Sequence, residues 1–175
     1  MKAPGDIWGP SSRVLWVGIN PSAVSGRTGH HFAGPGNLFW RLLHASGFTP
    51  RLLRPDEDAL LPVFGQGLTN LSPHVTSNSA ELSRAQWREG AADLFARVLA
   101  LSPKAVGLLG KDVARALLLA PGDGFGPLRL PAAIVHVLPN PSARSGIAFE
   151  RRLAHFAAFH AAVRGLLSPG GSREA

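Results

Sequence analysis

AAIVHVLPNPSARSG, residues 132–146, joins the clearest strand of the chain to the loop that ends it. Its first seven residues are apolar except His136 and β-branched near the centre. Prolines bound the run on both sides, the pattern of a strand buried on both faces. Pro139 and Pro141 then fix φ and remove two N–H donors, so the loop is stiff. A second copy lies near the N-terminus, where Arg13-Val-Leu-Trp-Val17 runs into Gly18-Ile-Asn-Pro-Ser22. Asn-Pro-Ser thus follows a buried strand twice.

Two weaker strands lie between, at 67–71 and 105–109. Helical spacing predicts helices over 37–47, 80–101, 111–119 and 148–164, with one or two turns at 56–61 after Pro55. Asn37 is placed to cap the first, and Gly47 to stop it. In 80–101 the inward face reads Leu82, Trp87, Ala91, Leu94, Phe95, Val98 and Leu101. Residues 18–36 hold five Gly and two Pro and read as irregular, as does the 120–131 loop. Apolar strands separated by helices imply a parallel sheet covered on both faces. The expectation is α/β: a three-layer α/β/α sandwich with a short, mainly parallel four-stranded central sheet. One domain is expected over 1–175, with an irregular lead-in at 1–12 and a flexible tail at 166–175. In such sheets ligand sites form outside the carboxyl ends of strands. That points to the loops after Val17 and Leu138.

Composition narrows the chemistry. The chain has 175 residues and no Cys, which excludes disulfides, thiolate metal sites, iron–sulfur clusters and a Cys nucleophile. Tyr is also absent. Net charge is +7, and only Lys2, Lys104 and Lys111 of the 18 basic residues are not Arg. A basic chain without an apolar run of transmembrane length suggests a polyanionic partner. No signal-peptide core is read at the N-terminus, and a cytoplasmic location is expected.

Other chemistries fail on spacing. Gly110-Lys111-Asp112 imitates the end of a P-loop, but Ala105 stands where its first Gly belongs and Asp112 where Ser or Thr belongs. The 18–36 glycines do not form a dinucleotide fingerprint, and no nucleophile elbow surrounds Ser22, Ser25 or Ser142. His30 and His31 are adjacent, so a helix or strand would point them apart, and no carboxylate or third ligand is expected nearby; no metal site is read.

GINPS (18–22), TGHHFAGPGNLFW (28–40) and LPNPSARS (138–145) together resemble the mismatch-specific uracil/thymine-DNA glycosylases, one branch of the uracil-DNA glycosylase superfamily. The resemblance covers roughly 13–160. The missing Tyr and Cys separate the chain from the classical and iron–sulfur branches. The resemblance implies a monofunctional DNA glycosylase that flips uracil, or another altered pyrimidine, out of mismatched duplex DNA and hydrolyses its N-glycosidic bond. It implies that Asn20 positions the attacking water, that the Ile19 backbone N–H steadies the leaving base, and that Phe32 stacks on it. It places Ser25 and Asn140 around the base. Ser142, Ala143, Arg144, Ser145 and Gly146 would enter the DNA, with Lys111 at a phosphate.

The chain departs from the branch at three places. Arg144 replaces an apolar wedge, Gly146 replaces an Arg, and Ser22 replaces a Gly. Asn140 stands where the classical branch has His. Tolerance of bases other than guanine opposite uracil is therefore expected. Glu81, Glu89 and Asp93 are the carboxylates weighed as helpers of Asn20, and Asp93 is also spaced to pair with Arg97. No metal or organic cofactor and no obligate protein partner is expected, and the chain is read as a monomer acting on double-stranded DNA. The alternative is a non-catalytic nucleic-acid-binding domain of the same fold.

Overall fold

The computed structural model describes residues 2–119, 124–129 and 133–167. Five strands form one sheet: β1 (Val14–Gly18), β2 (Gln66–Asn70), β3 (Ala105–Leu109), β4 (Gly126–Arg129) and β5 (Ile134–Leu138), in the order β2-β1-β3-β5-β4. The first four in that order are parallel and β4 pairs antiparallel with β5. The helices are α1 (Ala23–Thr28), α2 (Phe39–Ala45), α3 (Arg84–Leu101), α4 (Lys111–Ala116) and α5 (Phe149–Leu167), joined by 3-10 segments at Pro55–Phe64, Ser79–Glu81 and Ala143–Ser145.

The period-two alternation of β1 builds both cores. Val14 and Trp16 face one side with Phe39, Leu42, Phe156 and Phe159 of α2 and α5. Leu15 and Val17 face the other with Leu94 of α3 and Val113 of α4. This is the expected α/β/α sandwich. Trp16 is the hub of the first core, with the rings of Phe39, Phe48, Phe156 and Phe159 centred 4.7–5.7 Å away. Each such ring pair adds about 0.5–1.5 kcal/mol beyond the area it buries.

The sheet has five strands rather than four. Gly126-Pro127-Leu128-Arg129 reads as a loop because Pro127 cannot donate to a ladder, but an edge strand tolerates proline. Residues 120–123 and 130–131 of that loop and 168–175 of the tail lie outside the described residues, whereas Leu166 and Leu167, expected in the tail, are the last residues of α5. β2 is polar in sequence, yet all five of its residues are buried. Gln66 supports this by accepting from Trp16 Nε1 at 2.8 Å and donating to the Phe48 carbonyl at 2.8 Å. The lead-in is irregular but anchored. Ile7 bridges Leu68 antiparallel, with N–H···O distances of 2.8 and 2.7 Å. Gly67 makes room for it, since a Cβ there would sit 2.3 Å from Trp8.

Three further expectations are corrected. Residues 18–36 do contain a helix, α1, because Ser22 Oγ caps Ser25 N–H and Gly29 closes the other end in the left-handed region. Phe95 does not face the core and is 61% exposed. Gly90 and Leu94 set the inward face of α3, and Phe95 follows one residue, about 100°, further round. Arg97 does not pair with the Asp93 carboxylate but meets both oxygens of Asp6 at 3.1 Å and also donates to Thr69. The lead-in supplies that partner, and sequence spacing along one helix cannot foresee it.

Candidate active site

The carboxyl ends of β1, β2, β3 and β5 open on one cleft of about 530 Å³. Of the residues expected there, Ile19, Asn20, Ser22, Ser25, Phe32, Lys111, Asn140, Ser142, Arg144 and Ser145 line it. Ala143 and Gly146 do not line it; both are exposed on the loop after β5. Gly146 adopts φ 65°, which lets the chain turn back into α5.

Asn20 leaves β1 behind Gly18 and Ile19, and its amide has a defined orientation. Nδ2 donates to the His74 carbonyl at 2.8 Å and to Thr76 Oγ1 at 2.7 Å. A carbonyl can only accept. Thr76 gives its own proton to the Asn78 carbonyl at 2.9 Å, so it too accepts from Asn20. Both N–H groups of Nδ2 are thereby used, and Oδ1 is the atom left to accept a hydrogen bond from a molecule in the cleft.

Phe32 gives the cleft an aromatic lining. Phe32 has φ 52°, a left-handed conformation uncommon for a bulky residue, and its ring centre lies 4.1 Å from that of Phe39. Gly18 lies beneath both Phe32 and Asn70. A Cβ at residue 18 would sit 2.4 Å from Asn70 Oδ1 and 3.2 Å from Phe32 Cζ. Buried Ser25 accepts from Ala33 N–H at 3.2 Å and from Ser22 Oγ at 3.2 Å, fixing the turn that carries Phe32.

Asn70 was not among the expected site residues, although it ends β2 and faces the same cleft. The available signal was a polar Thr-Asn pair at the carboxyl end of a buried strand. His31 orients it. His31 Nε2 lies 2.9 Å from the Gly5 carbonyl and must carry the proton, leaving Nδ1 to accept from Asn70 Nδ2 at 3.4 Å. Burial lowers the His31 pKa, favouring this neutral ring. A carboxylate does reach the histidine pair: Asp58, from the 3-10 segment, accepts from His31 N–H at 2.9 Å and lies 3.2 Å from His30 Nδ1. No group of three potential metal ligands forms among the described residues.

The loop after β5 forms the outer wall. Asn140 Oδ1 accepts from Ser142 N–H at 2.9 Å, an Asx turn that shapes the bend. Arg144 reaches over the cleft to the Ser77 carbonyl. The Lys111 ammonium lies 4.9 Å from the centre of the Phe125 ring, a cation–π contact. Glu81, Glu89 and Asp93 are not among the lining residues; Asp112 is, and it pairs with Arg115 at 2.9 Å. The model of the uracil DNA glycosylase superfamily matches residues 6–164.

Proposed function

The chain belongs to the uracil-DNA glycosylase superfamily, hydrolases of base-excision repair that act on DNA, and within it we propose a monofunctional glycosylase of the mismatch-specific kind. The substrate is uracil, or a related altered pyrimidine, in mismatched duplex DNA. The observation that carries this reading is the oriented Asn20 amide, which lines the cleft and whose Oδ1 accepts no hydrogen bond among the described residues while both Nδ2 protons are held.

The duplex yields the target nucleotide to the cleft, at a cost of a few kcal/mol that is lowest at a mismatch. The base stacks on Phe32 with its edge towards Asn70. A water accepted by Asn20 Oδ1 attacks C1′. The C1′–N1 bond breaks, and its electron pair leaves with the base. An amide does not titrate near neutral pH, so Asn20 orients the water rather than deprotonating it. That suffices for an oxocarbenium-like transition state, where placement matters more than nucleophile strength. Backbone N–H groups around Ile19 offset charge on the leaving base, and the water's proton passes to solvent. Arg144 leaves Ser77 and enters the space vacated by the base; its planar guanidinium can stack and donate to base edges. Lys111 lines the cleft but packs its ammonium on the Phe125 ring and is assigned to a phosphate rather than to attack at C1′, so the abasic product stays intact.

The test is excision from uracil-containing duplexes, followed by alkaline cleavage of abasic sites. Asn20→Ala is expected to lose about 100-fold or more in single-turnover rate while still binding the duplex. Wild-type binding without any product would leave a DNA-binding module. Full activity in Asn20→Ala would move the water-placing role elsewhere.

A further inference from the structure

Arg152, in the second turn of α5, is 1% exposed, and no carboxylate is paired with it among the described residues. Burying a guanidinium without an opposite charge is costly. An apolar residue would serve a helix stripe that otherwise buries Phe156, Phe159 and Val163. Among the described residues, every acceptor of this side chain lies in the loop after β5. Nη1 donates to the Pro141 carbonyl at 3.3 Å, and Nη2 to the Ser142 carbonyl at 3.1 Å and Ser145 Oγ at 2.6 Å. Nε has no partner.

The donor chemistry gives these bonds a direction. A guanidinium only donates, so Ser145 accepts from Arg152 and gives its own proton to the Asn140 carbonyl at 3.2 Å. The Pro141 carbonyl also accepts from Leu38 N–H at 3.0 Å, just before α2. Residues 140–142 and 145 are thus pinned on both sides of Arg144, whose N–H donates to Ser142 Oγ at 3.3 Å while its side chain spans to the Ser77 carbonyl.

We infer that Arg152 is a positioning residue for duplex engagement: from inside the fold it holds the loop in the shape that carries Arg144 into DNA. The inference rests on the glycosylase reading above. It separates two substrates. A duplex leaves a gap that the loop must fill, whereas a single strand leaves none. Loss of Arg152 should therefore affect the duplex far more than the single strand, whereas general destabilisation would affect both.

The experiment compares wild type with Arg152→Met and Arg152→Lys on uracil in duplex and in single-stranded oligonucleotides, and measures binding to a duplex with an abasic-site analogue. Arg152→Met should raise the duplex KM and the abasic-duplex Kd about tenfold or more, with kcat and the single-strand KM within about twofold of wild type. Arg152→Lys keeps the charge without the planar fork and should fall between. Adding Ser145→Ala to Arg152→Lys should produce less than the sum of the two effects, because they break one shared link. Parallel losses on both substrates, or a wild-type duplex KM and Kd in both variants, would overturn the assignment. If Arg152→Met does not fold, Arg152→Lys decides by the same criterion. If the wild type excises nothing, the glycosylase reading fails, and the abasic-duplex Kd alone decides the role of Arg152.

Discussion

Gly18 is a single position where the fold and the cleft constrain each other. A Cβ 2.4 Å from Asn70 Oδ1 cannot be accommodated without moving that amide or the backbone of β1. Gly18→Ala should lower stability by about 1–3 kcal/mol, as overpacking does, and reduce excision by up to about 100-fold through displaced Asn70 and Asn20. Chemical denaturation and single-turnover kinetics on one preparation check the two parts; an unchanged rate would remove Asn70 from the site. Asn20 was legible in the sequence because Asn-Pro-Ser follows a recognisable strand. Asn70 was less so, because Gln66-Gly-Leu-Thr-Asn70 carries little apolar signal and its burial depends on Trp16 and Phe48 as hydrogen-bond partners. Arg152 was not legible. An arginine among apolar positions reads as a surface residue until the carbonyls that receive it are known.

Elements with strong local signals were recovered closely, and those that depend on neighbours were not. α3 begins at Arg84 because Ser83 Oγ accepts from Gln86 N–H at 3.2 Å while Gln86 Oε1 accepts from Ser83 N–H at 2.8 Å, a reciprocal cap. Ser83→Ala should cost about 1 kcal/mol in denaturant unfolding and leave excision unchanged, since α3 does not line the cleft. A changed rate at equal stability would show that α3 acts on the cleft. The expected cap of α2 is displaced by one residue: Leu38, not Asn37, is its N-cap and offers no side-chain acceptor, while Asn37 Oδ1 accepts from Phe39 N–H at 3.0 Å from one position further out. β4 eluded the sequence for the opposite reason. Its four residues include Gly126 and Pro127, and only its pairing with β5 makes them a strand.

Across the whole molecule, acid should weaken the fold from near-neutral pH downward. Burial lowers the pKa of His31, His136, His155 and His160 below the ordinary 6.5. The unfolded chain therefore takes up protons first as pH falls below that value, while the folded chain resists. The unfolded state binds more protons, so unfolding free energy declines with falling pH until the depressed folded pKa values are passed. Thermal unfolding between pH 8 and pH 5, roughly bracketing the ordinary value, should show Tm falling towards acid, and a flatter slope in His31→Gln. A Tm that rises on acidification would contradict this. At lower pH Glu57 acts in the same direction. Hydrogen bonds from Arg51 and from the Arg54 backbone lower its pKa to about 2, so its contribution is present above the ordinary carboxylate range and is lost as pH falls through that value. The sequence alone determined the alternation of buried strands with helices, the two stiff Asn-Pro-Ser loops at strand ends and the exclusion of thiol and phenol chemistry, because these follow from local pattern and composition. Only the tertiary structure decided which polar groups meet: Asp58 with the histidine pair, His31 with Asn70, Arg97 with Asp6, and Arg152 with the loop after β5. Such partners lie on separate elements, and a buried donor or charge finds its acceptor only when packing excludes water and brings them within hydrogen-bond reach.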